Sequence, residues 1–297
     1  MTQLARVGIV GIGAMGLQSA RNLQRHGYPL AVRDIDPAAV ASAAAIGIGT
    51  CDSPAALAAR SDVLIVVVVD AAQIDEVLFG PNGVVVAGPR PGGDQLALMI
   101  CSTIAAEDTE RFATRLAVHA IDLLDAPISG GPARAGDGTM SMMLACDESL
   151  RARHEPLLRD MAAKLFYIGT KVGDAARTKL VNNLLAGINL VAAAEAMALG
   201  TRLGLDRKAL FDVIAASSGA SWIGIDRMAR ALEGDWLPRA RAAILTKDVG
   251  LAVGMAGAAG IATPLGAQAL KVFEATLAAG FADLDDAAVI KAIWPDF

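Results

Sequence analysis

Cysteine is scarce in this sequence. The 297 residues include three cysteines, Cys51, Cys101 and Cys146, whose odd number and irregular spacing match no common metal-binding motif. A disulfide framework is therefore not expected, and a reducing compartment suits this composition better. We also predict no metal site.

Blocks of basic residues and long apolar runs are missing as well. Lys and Arg number 26 against 31 Asp and Glu, so the formal net charge is −5, and neither nucleic acid nor an anionic membrane is expected as a partner. The apolar run at 63–69 is too short for a bilayer, which needs about 20 residues. The first predicted strand begins within six residues of Met1, which leaves no room for a signal peptide. We expect a soluble, cytoplasmic protein.

Aliphatic residues dominate instead: 54% of the chain is hydrophobic but only 4% is aromatic. In the first half, short apolar runs alternate with amphipathic stretches, which is the pattern of βαβ units around a buried parallel sheet. We predict strands at 6–10, 30–32, 63–69, 96–101, 121–124, 140–144 and 166–168, helices at 13–26 and 53–59, and a loop at 80–93.

The pattern changes after residue 169. Beyond residue 174 no convincing strand is found, and 175–203 contains no proline and predicts one helix of about 40 Å. The fold class is thus predicted to be α/β. A Rossmann-type doubly wound domain would span 1–170, and an all-helical domain that begins with a long interdomain helix would span 171–297.

A glycine-rich motif directly follows the first predicted strand. Gly11, Gly13 and Gly16 have the G-x-G-x-x-G spacing, in which the first glycine permits a tight turn, the second lets a pyrophosphate approach and the third lets helix and strand pack closely. The pyrophosphate would lie at the helix N-terminus. The predicted cofactor contacts in this motif are Gly11, Ile12, Gly13, Ala14, Met15 and Gly16.

An acidic residue, Asp34, ends the second predicted strand. A carboxylate there can accept hydrogen bonds from both ribose hydroxyls and repels a 2′-phosphate, which favours NAD over NADP. Because Arg33 and Asp36 lie beside it, Asp34 could instead be only a solvated acid at the end of a strand. Methyltransferases also pair a glycine-rich loop with a downstream acid, so these features do not identify the reaction.

Further polar groups follow later strands, where such sheets usually bind ligands. Ser102 and Thr103 come after the strand at 96–101. Ser129, Gly130 and Gly131 come after the strand at 121–124 and offer a hydroxyl and open backbone N–H groups, a small nest suited to a carboxylate. An ordinary Ser/Gly turn is the alternative.

The long predicted helix carries Lys179, Asn182 and Asn183 on one face, because they are three and four residues apart. An ammonium group partly removed from water can release its proton near neutral pH and so exchange it with an alcohol. The alternative is a surface lysine. A later helical segment contains Lys247 and Asp248, whose residue types predict a surface ion pair.

Together these motifs resemble the β-hydroxyacid dehydrogenases, the family of 3-hydroxyisobutyrate dehydrogenase and tartronate semialdehyde reductase. The resemblance runs over roughly residues 6–295, and one departure is Ala175, where the family usually has glycine. Four signatures occur in the family's order: GIGAMG at 11–16, DAPISGG at 125–131, GDAARTKLVNN at 173–183 and KDVGLA at 247–252.

The resemblance implies an NAD-dependent enzyme that oxidises a hydroxyl group of a small hydroxy acid. It implies that Lys179 is the general acid/base, that Asn183 binds substrate beside it, and that Lys247 closes over cofactor and substrate. The substrate carboxylate would be held by Ser129, Gly130 and Gly131, and Thr103 would contact the nicotinamide ribose. We also expect cofactor contacts from Val68 and Val69, and substrate contacts from Asn182, Ser221 and Trp222.

Stretches such as SWIGIDRM at 221–228 and DDAAVIK at 285–291 resemble those of family members that act on L-threonate. The resemblance implies L-threonate as the substrate, with oxidation to a 2-oxo acid. 3-Hydroxyisobutyrate and tartronate semialdehyde are alternatives within the family. A non-catalytic NAD sensor is the alternative from another class, although it would not need a lysine and two amides on one helical face. The apolar faces of the helical half predict a homodimer or homotetramer.

Overall fold

The computed structural model describes residues 4–88 and 95–297. The chain divides into two compact units, Met1–Lys179 and Leu180–Phe297. This division falls inside the long helix, nine residues beyond the end of the first domain predicted at 170. Of the loop predicted at 80–93, residues 89–93 lie outside the described residues, and Val84–Ala87 form a 3₁₀ helix.

The first unit is built on a sheet whose strands follow the order β3-β2-β1-β4-β5-β6-β8-β7, with β9 paired to β8. The pairs from β3 to β6 are parallel, and β8 is antiparallel to both β6 and β7. The order 3-2-1-4-5-6 is that of a dinucleotide-binding fold. The strands are β1 Val7–Val10, β2 Leu30–Arg33, β3 Gly49–Thr50, β4 Val63–Val66, β5 Ala97–Ile100, β6 Asp122–Asp125, β7 Ile128–Ser129, β8 Ser141–Ala145 and β9 Lys164–Gly169.

Helices cover both faces of this sheet. Successive side chains of a strand point to opposite faces, and along β4 Val63 and Ile65 belong to one apolar cluster whereas Leu64 and Val66 belong to another. The predicted doubly wound α/β architecture is therefore confirmed. The helices are α1 Ala14–Arg25, α2 Pro37–Ala45, α3 Pro54–Ala58, α4 Ala71–Phe79, α5 Ala106–Ala117, α6 Gly131–Asp137 and α7 Glu148–Met161.

Some elements of this unit differ from the sequence prediction. The strand predicted at 63–69 ends at Val66, because the N–H groups of Val68 and Val69 are bound by the side chains of Ser102 and Gln73 instead of a neighbouring strand. Helix α2 was not predicted, because its alanine-rich sequence has no distinct apolar face. Strands β3 and β7 contain two residues each, too few for an alternating pattern.

The second unit is helical, and its residues 180–297, all of them described, contain no strand. Helix α8 begins in the first unit, and among the described helices it is the one whose length and composition would also suit a membrane span, a test that buried helices of soluble proteins pass too. The helices are α8 Asp174–Arg202, α9 Arg207–Ala215, α10 Trp222–Leu232, α11 Ala242–Ala258, α12 Pro264–Ala278 and α13 Val289–Ile293, with a 3₁₀ helix at Asp286–Ala288.

A buried ionic network lies in the second unit. Arg230 on α10 forms an ion pair with Asp285, with 2.9 Å between Nη1 and Oδ2, and Arg227 one turn earlier pairs with Asp286. Asp285 also accepts a hydrogen bond of 2.8 Å from the backbone N–H of Arg239. The network joins α10 to the segment before α11 and to the start of the 3₁₀ helix.

Candidate active site

The glycine-rich loop between β1 and α1 has the shape that a pyrophosphate needs. Gly11 has φ +86°, and a Cβ there would lie 2.3 Å from the carbonyl oxygen of Val67. At Gly16 a Cβ would lie 1.9 Å from the carbonyl oxygen of Gly11, whereas at Gly13 it would meet no described atom within 4 Å. Gly13 is the N-cap of α1 and supplies no side-chain cap, so the helix terminus suits a phosphate group.

Asp34 lies beside this loop. Its Oδ2 accepts a hydrogen bond of 2.6 Å from the backbone N–H of Ile12, and its Oδ1 accepts one of 2.9 Å from the N–H of Asp36. The side chain is half-buried. The structure thus brings the predicted ribose-binding acid to the predicted pyrophosphate loop, across 22 residues of sequence.

The ends of β4 and β5 are joined by Ser102. Its hydroxyl oxygen accepts a hydrogen bond of 2.9 Å from the N–H of Val68. Thr103 is half-buried, and Val69 is exposed. The structure therefore places Val68 and Ser102 together at the carboxyl edge of the sheet, the edge at which β1 leads into the glycine-rich loop.

The predicted carboxylate nest has an unusual backbone. Gly130 has φ +139° and Gly131 has φ +78°, conformations that favour glycine. A side chain at Gly130 would crowd Arg134 and Met140, whereas a Cβ at Gly131 would meet no described atom within 4 Å. Ser129 ends β7 and is half-buried. The turn is therefore specialised for glycine and open above Gly131.

Lys179 is buried, with 6% of its surface exposed, so the alternative of a surface lysine is wrong. The first turn of α8, which precedes it, is anchored to the sheet. Asp125 accepts hydrogen bonds from the N–H groups of Gly173 (2.8 Å) and Ala176 (3.2 Å). Ala175, the departure from the family's glycine, is fully buried among Met143 and Ala145, so its methyl group is accommodated by packing.

The Asp125 carboxyl group is itself almost fully buried. Burial raises its pKa to about 6, against the lowering effect of the N–H groups of Ala176 and Gly173. Sequence reasoning did not assign this residue a role of its own. The signal available was an acid at the very end of a buried strand, where a solvated carboxylate would not be expected.

In the second unit, Asn183 is part of a buried polar chain. Its Nδ2 donates a hydrogen bond of 2.7 Å to Oδ2 of Asp248, and Oδ1 of Asp248 lies 2.7 Å from Nζ of Lys247. Asn182 is exposed and donates to Oδ1 of Asn183 at 3.1 Å. The prediction of a surface ion pair at Lys247 and Asp248 is wrong, because Asp248 is buried and receives the Asn183 amide.

Ser221 and Trp222 lie at the start of α10. The Ser221 hydroxyl oxygen accepts a hydrogen bond of 3.1 Å from the N–H of Gly224 and so caps this helix. Trp222 is exposed. The capping role of Ser221 was not predicted, although a serine before an apolar helical run is a common N-cap signal. Substrate binding by these two residues remains a prediction.

Two family models match the chain. Residues 6–169 match the NAD-binding domain of 6-phosphogluconate dehydrogenase. Residues 173–293 match a family described as the NAD-binding part of NADP-dependent 3-hydroxyisobutyrate dehydrogenase. The two matches together cover nearly the whole chain, and they meet close to the start of α8.

Curated proteins and solved structures agree with these matches. L-threonate dehydrogenase of Cupriavidus necator is 40% identical over 286 residues, which cover 96% of this chain and 95% of that protein. The enzyme of the same name from Escherichia coli is 38% identical, with 96% and 93% covered. The crystal structure of 3-hydroxyisobutyrate dehydrogenase from Salmonella typhimurium has a TM-score of 0.88 and 37% identity, with 96% of this chain and 99% of that one covered.

Proposed function

The chain belongs to the β-hydroxyacid dehydrogenase family, and within it we propose that the substrate is L-threonate or a closely related four-carbon sugar acid. The enzymes of this family are NAD-dependent oxidoreductases that act on CH–OH groups. The expected product is the 2-oxo acid. Two relatives of nearly full length carry the name L-threonate dehydrogenase. 3-Hydroxyisobutyrate is the second candidate, because a similar solved structure carries that name. Tartronate semialdehyde reduction remains the third.

The observation that carries the chemistry is the burial of Lys179 one helical turn before Asn183. In its neutral form Lys179 accepts the proton of the substrate hydroxyl at Nζ while the carbon–oxygen bond becomes a carbonyl. The loop at 11–16 and Asp34 would hold NAD, which when bound would accept the hydride from the hydroxyl-bearing carbon. In the reverse direction Lys179 returns the proton to the carbonyl oxygen.

Asn183 would present its carbonyl oxygen to the substrate. A carboxylate only accepts hydrogen bonds, so the contact with Asp248 requires that Nδ2 of Asn183 point toward Asp248. Oδ1 then faces the other way, where Asn182 donates to it and where a substrate hydroxyl could donate as well. Asp248 also binds the ammonium group of Lys247, the residue proposed to close over cofactor and substrate.

The substrate carboxylate would bind at Ser129, Gly130 and Gly131. The open surface above Gly131 lets an anion approach the backbone, and the Ser129 hydroxyl can donate to it. A carboxylate held there would place the neighbouring carbons of the substrate near Lys179, so the oxidised hydroxyl is expected at C2 or C3. Simple alcohols, which have no carboxylate, should not be turned over.

Replacing Asp34 with serine is expected to reduce the preference for NAD over NADP. Serine cannot repel a 2′-phosphate, and a lost hydrogen bond to a charged group is worth about 1.5–3 kcal/mol, or roughly tenfold to a hundredfold in kcat/KM. Because Asp34 also binds the N–H of Ile12, the KM for NAD should rise too. The measurement is kcat/KM with each cofactor for both proteins.

The matched control is Asp36→Ser. Asp36 lies two residues further on and caps α2 by accepting a hydrogen bond of 2.8 Å from the N–H of Ala38. This variant should keep the cofactor preference of the wild type. Wild-type protein that used NADP as efficiently as NAD would refute the role of Asp34.

L-threonate is expected to exceed 3-hydroxyisobutyrate in kcat/KM by at least about tenfold, roughly 1.4 kcal/mol of transition-state preference. Asn182 and Ser221 could bond the additional hydroxyls of a sugar acid, and polar groups left unpaired by the wrong substrate cost more than a missing methyl group. The ratio is measured with saturating NAD, with D-glycerate as a further substrate and propanol as the carboxylate-free control. A ratio that favours 3-hydroxyisobutyrate or D-glycerate would overturn the substrate and leave the family unchanged.

We further propose that the protein is cytoplasmic and forms a homodimer or homotetramer. Three large apolar residues of α8 and one directly after it are exposed, and their spacings of about whole helical turns place them on one side. They are Val181, Leu185 and Leu199 on α8, and Leu203 after its end. Pairing of this apolar surface with another copy would remove it from water.

A further inference from the structure

The buried carboxyl group of Asp125 has no part in the chemistry described above. It lies at the end of β6, and its Oδ2 binds the N–H groups of Gly173 and Ala176. The N–H groups of a first helical turn have no partner inside the helix, and a carboxylate beside them is favoured by the positive end of the helix dipole. Asp125 therefore ties the start of α8 to the sheet, across 48 residues of sequence.

The same turn is held by two further contacts. Ala175 is fully buried among Met143 and Ala145 of β8. Arg177 pairs with Glu110 of α5, with 2.7 Å between Nη2 and Oε1. Lys179 is three residues beyond Ala176, about 4.5 Å along the axis. Because a helix is stiff over one turn, the placement of this turn decides where the Lys179 side chain begins.

We propose that Asp125 is a positioning residue for Lys179, which anchors the first turn of α8 and so sets the location of the amino group at the carboxyl edge of the sheet. The inference rests on the proposed role of Lys179 as the general acid/base. Asp125 acts through the backbone of α8 and exchanges no proton with the substrate. Its contribution should therefore appear in kcat and not in cofactor binding.

The protonation state of Asp125 supplies a readout that a purely structural residue would not. The titratable groups near it are the thiols of Cys101 and Cys146, which follow β5 and β8, and the carboxylate of Asp174 on α8. Burial and, to a smaller extent, the charge of Asp174 raise the pKa of Asp125 to about 6, against the lowering effect of the backbone N–H groups it accepts from. Below that pH the carboxyl group becomes neutral and holds the two N–H groups less strongly.

The test compares Asp125→Ala and Asp125→Asn with the wild type in the reductive direction, with NADH and the oxo acid between about pH 5 and 8. In this direction Lys179 must carry the proton, so acid cannot inactivate it, and a fall in kcat below about pH 6 belongs to another group. Asp125→Ala should lower kcat by about 10- to 100-fold, as small misplacements of catalytic groups do. Its Kd for NADH should stay within about twofold of the wild type, since Asp125 binds the start of α8 and the substitution leaves the glycine-rich loop and Asp34 untouched.

Asp125→Asn keeps an oxygen that can accept from both N–H groups but does not titrate. Because it is neutral at every pH, it should show at pH 8 the reduced kcat that the wild type shows below about pH 6, with no further fall in acid. The matched control is Asp147→Ala, which removes a carboxylate cap from α7, a helix that carries no proposed site residue. That variant should keep the wild-type kcat and pH profile.

An unchanged kcat in Asp125→Ala, beside an inactive Lys179→Ala, would overturn this inference and leave the proposed function standing. Equal losses in Asp125→Ala and Asp147→Ala would also overturn it, because they would reflect a general loss of structure. An acid limb that persists unchanged in Asp125→Asn would contradict it as well. Full activity of Lys179→Ala would overturn both proposals.

Discussion

Replacement of Lys179 by alanine is expected to lower kcat by roughly 10²- to 10⁴-fold, the usual contribution of a general acid/base. The buried amino group is the proposed proton acceptor, and alanine leaves nothing there to take the hydroxyl proton. The glycine-rich loop and Asp34 are untouched, so the Kd for NADH should change little. Stopped-flow or steady-state kcat, together with a fluorescence titration of NADH, measures the two quantities separately.

Two further variants sharpen this test. Lys179→Arg keeps the positive charge but should remain nearly inactive, because a guanidinium group does not release its proton near neutral pH. Lys171→Ala removes an exposed lysine just before α8 and should retain wild-type kcat. More than half of the activity surviving in Lys179→Ala would mean that another group moves the proton.

Replacement of Asp285 by alanine should lower the free energy of unfolding of the helical unit by about 3–5 kcal/mol, the cost of removing one partner from a buried ion pair. Asp285 is completely buried and binds Arg230 and the N–H of Arg239. Without it, the buried guanidinium of Arg230 loses its principal anion. All three tryptophans, Trp222, Trp236 and Trp294, lie in this unit, so urea unfolding followed by tryptophan fluorescence reports on it directly.

The control for charge alone is Asp212→Ala on α9. Asp212 forms an exposed pair with Lys208, and such pairs contribute about 0–1 kcal/mol. A loss in Asp285→Ala no larger than that of Asp212→Ala would show that the buried network does not stabilise the unit.

The stability difference at Asp285 should also depend on pH. Burial opposes ionisation, but the hydrogen bonds from Arg230 and the N–H of Arg239 keep the pKa of Asp285 below its usual range. A carboxylate with a lowered folded-state pKa contributes stability above its unfolded pKa, about 3.9, and this contribution is lost as the pH falls through the folded value. The gap between wild type and Asp285→Ala should therefore be widest near neutral pH and narrow in acid.

The sequence by itself determined the features whose physical causes lie within a few residues. Gly11 and Gly16 are required by a turn and a contact that both belong to one loop. Gly27 has φ +82° just after α1, and Ser53 caps α3 through the N–H of Ala56. The alternation of apolar runs and helical segments predicted the sheet of the first unit, and the proline-free stretch predicted α8 to within one residue at each end.

Only the tertiary structure decided which polar groups meet across long separations. Asp125 reaches Gly173 over 48 residues, and Asn183 reaches Asp248 over 65. A sequence pattern records the type of each side chain but not its partner, so Lys247 and Asp248 read as a surface pair although Asp248 is buried. For the same reason the strand predicted at 63–69 is too long: its last valines are as apolar as its first, so the sequence gives no sign of where it ends. In the folded chain the N–H groups of Val68 and Val69 donate to the side chains of Ser102 and Gln73, which the sequence pattern does not show.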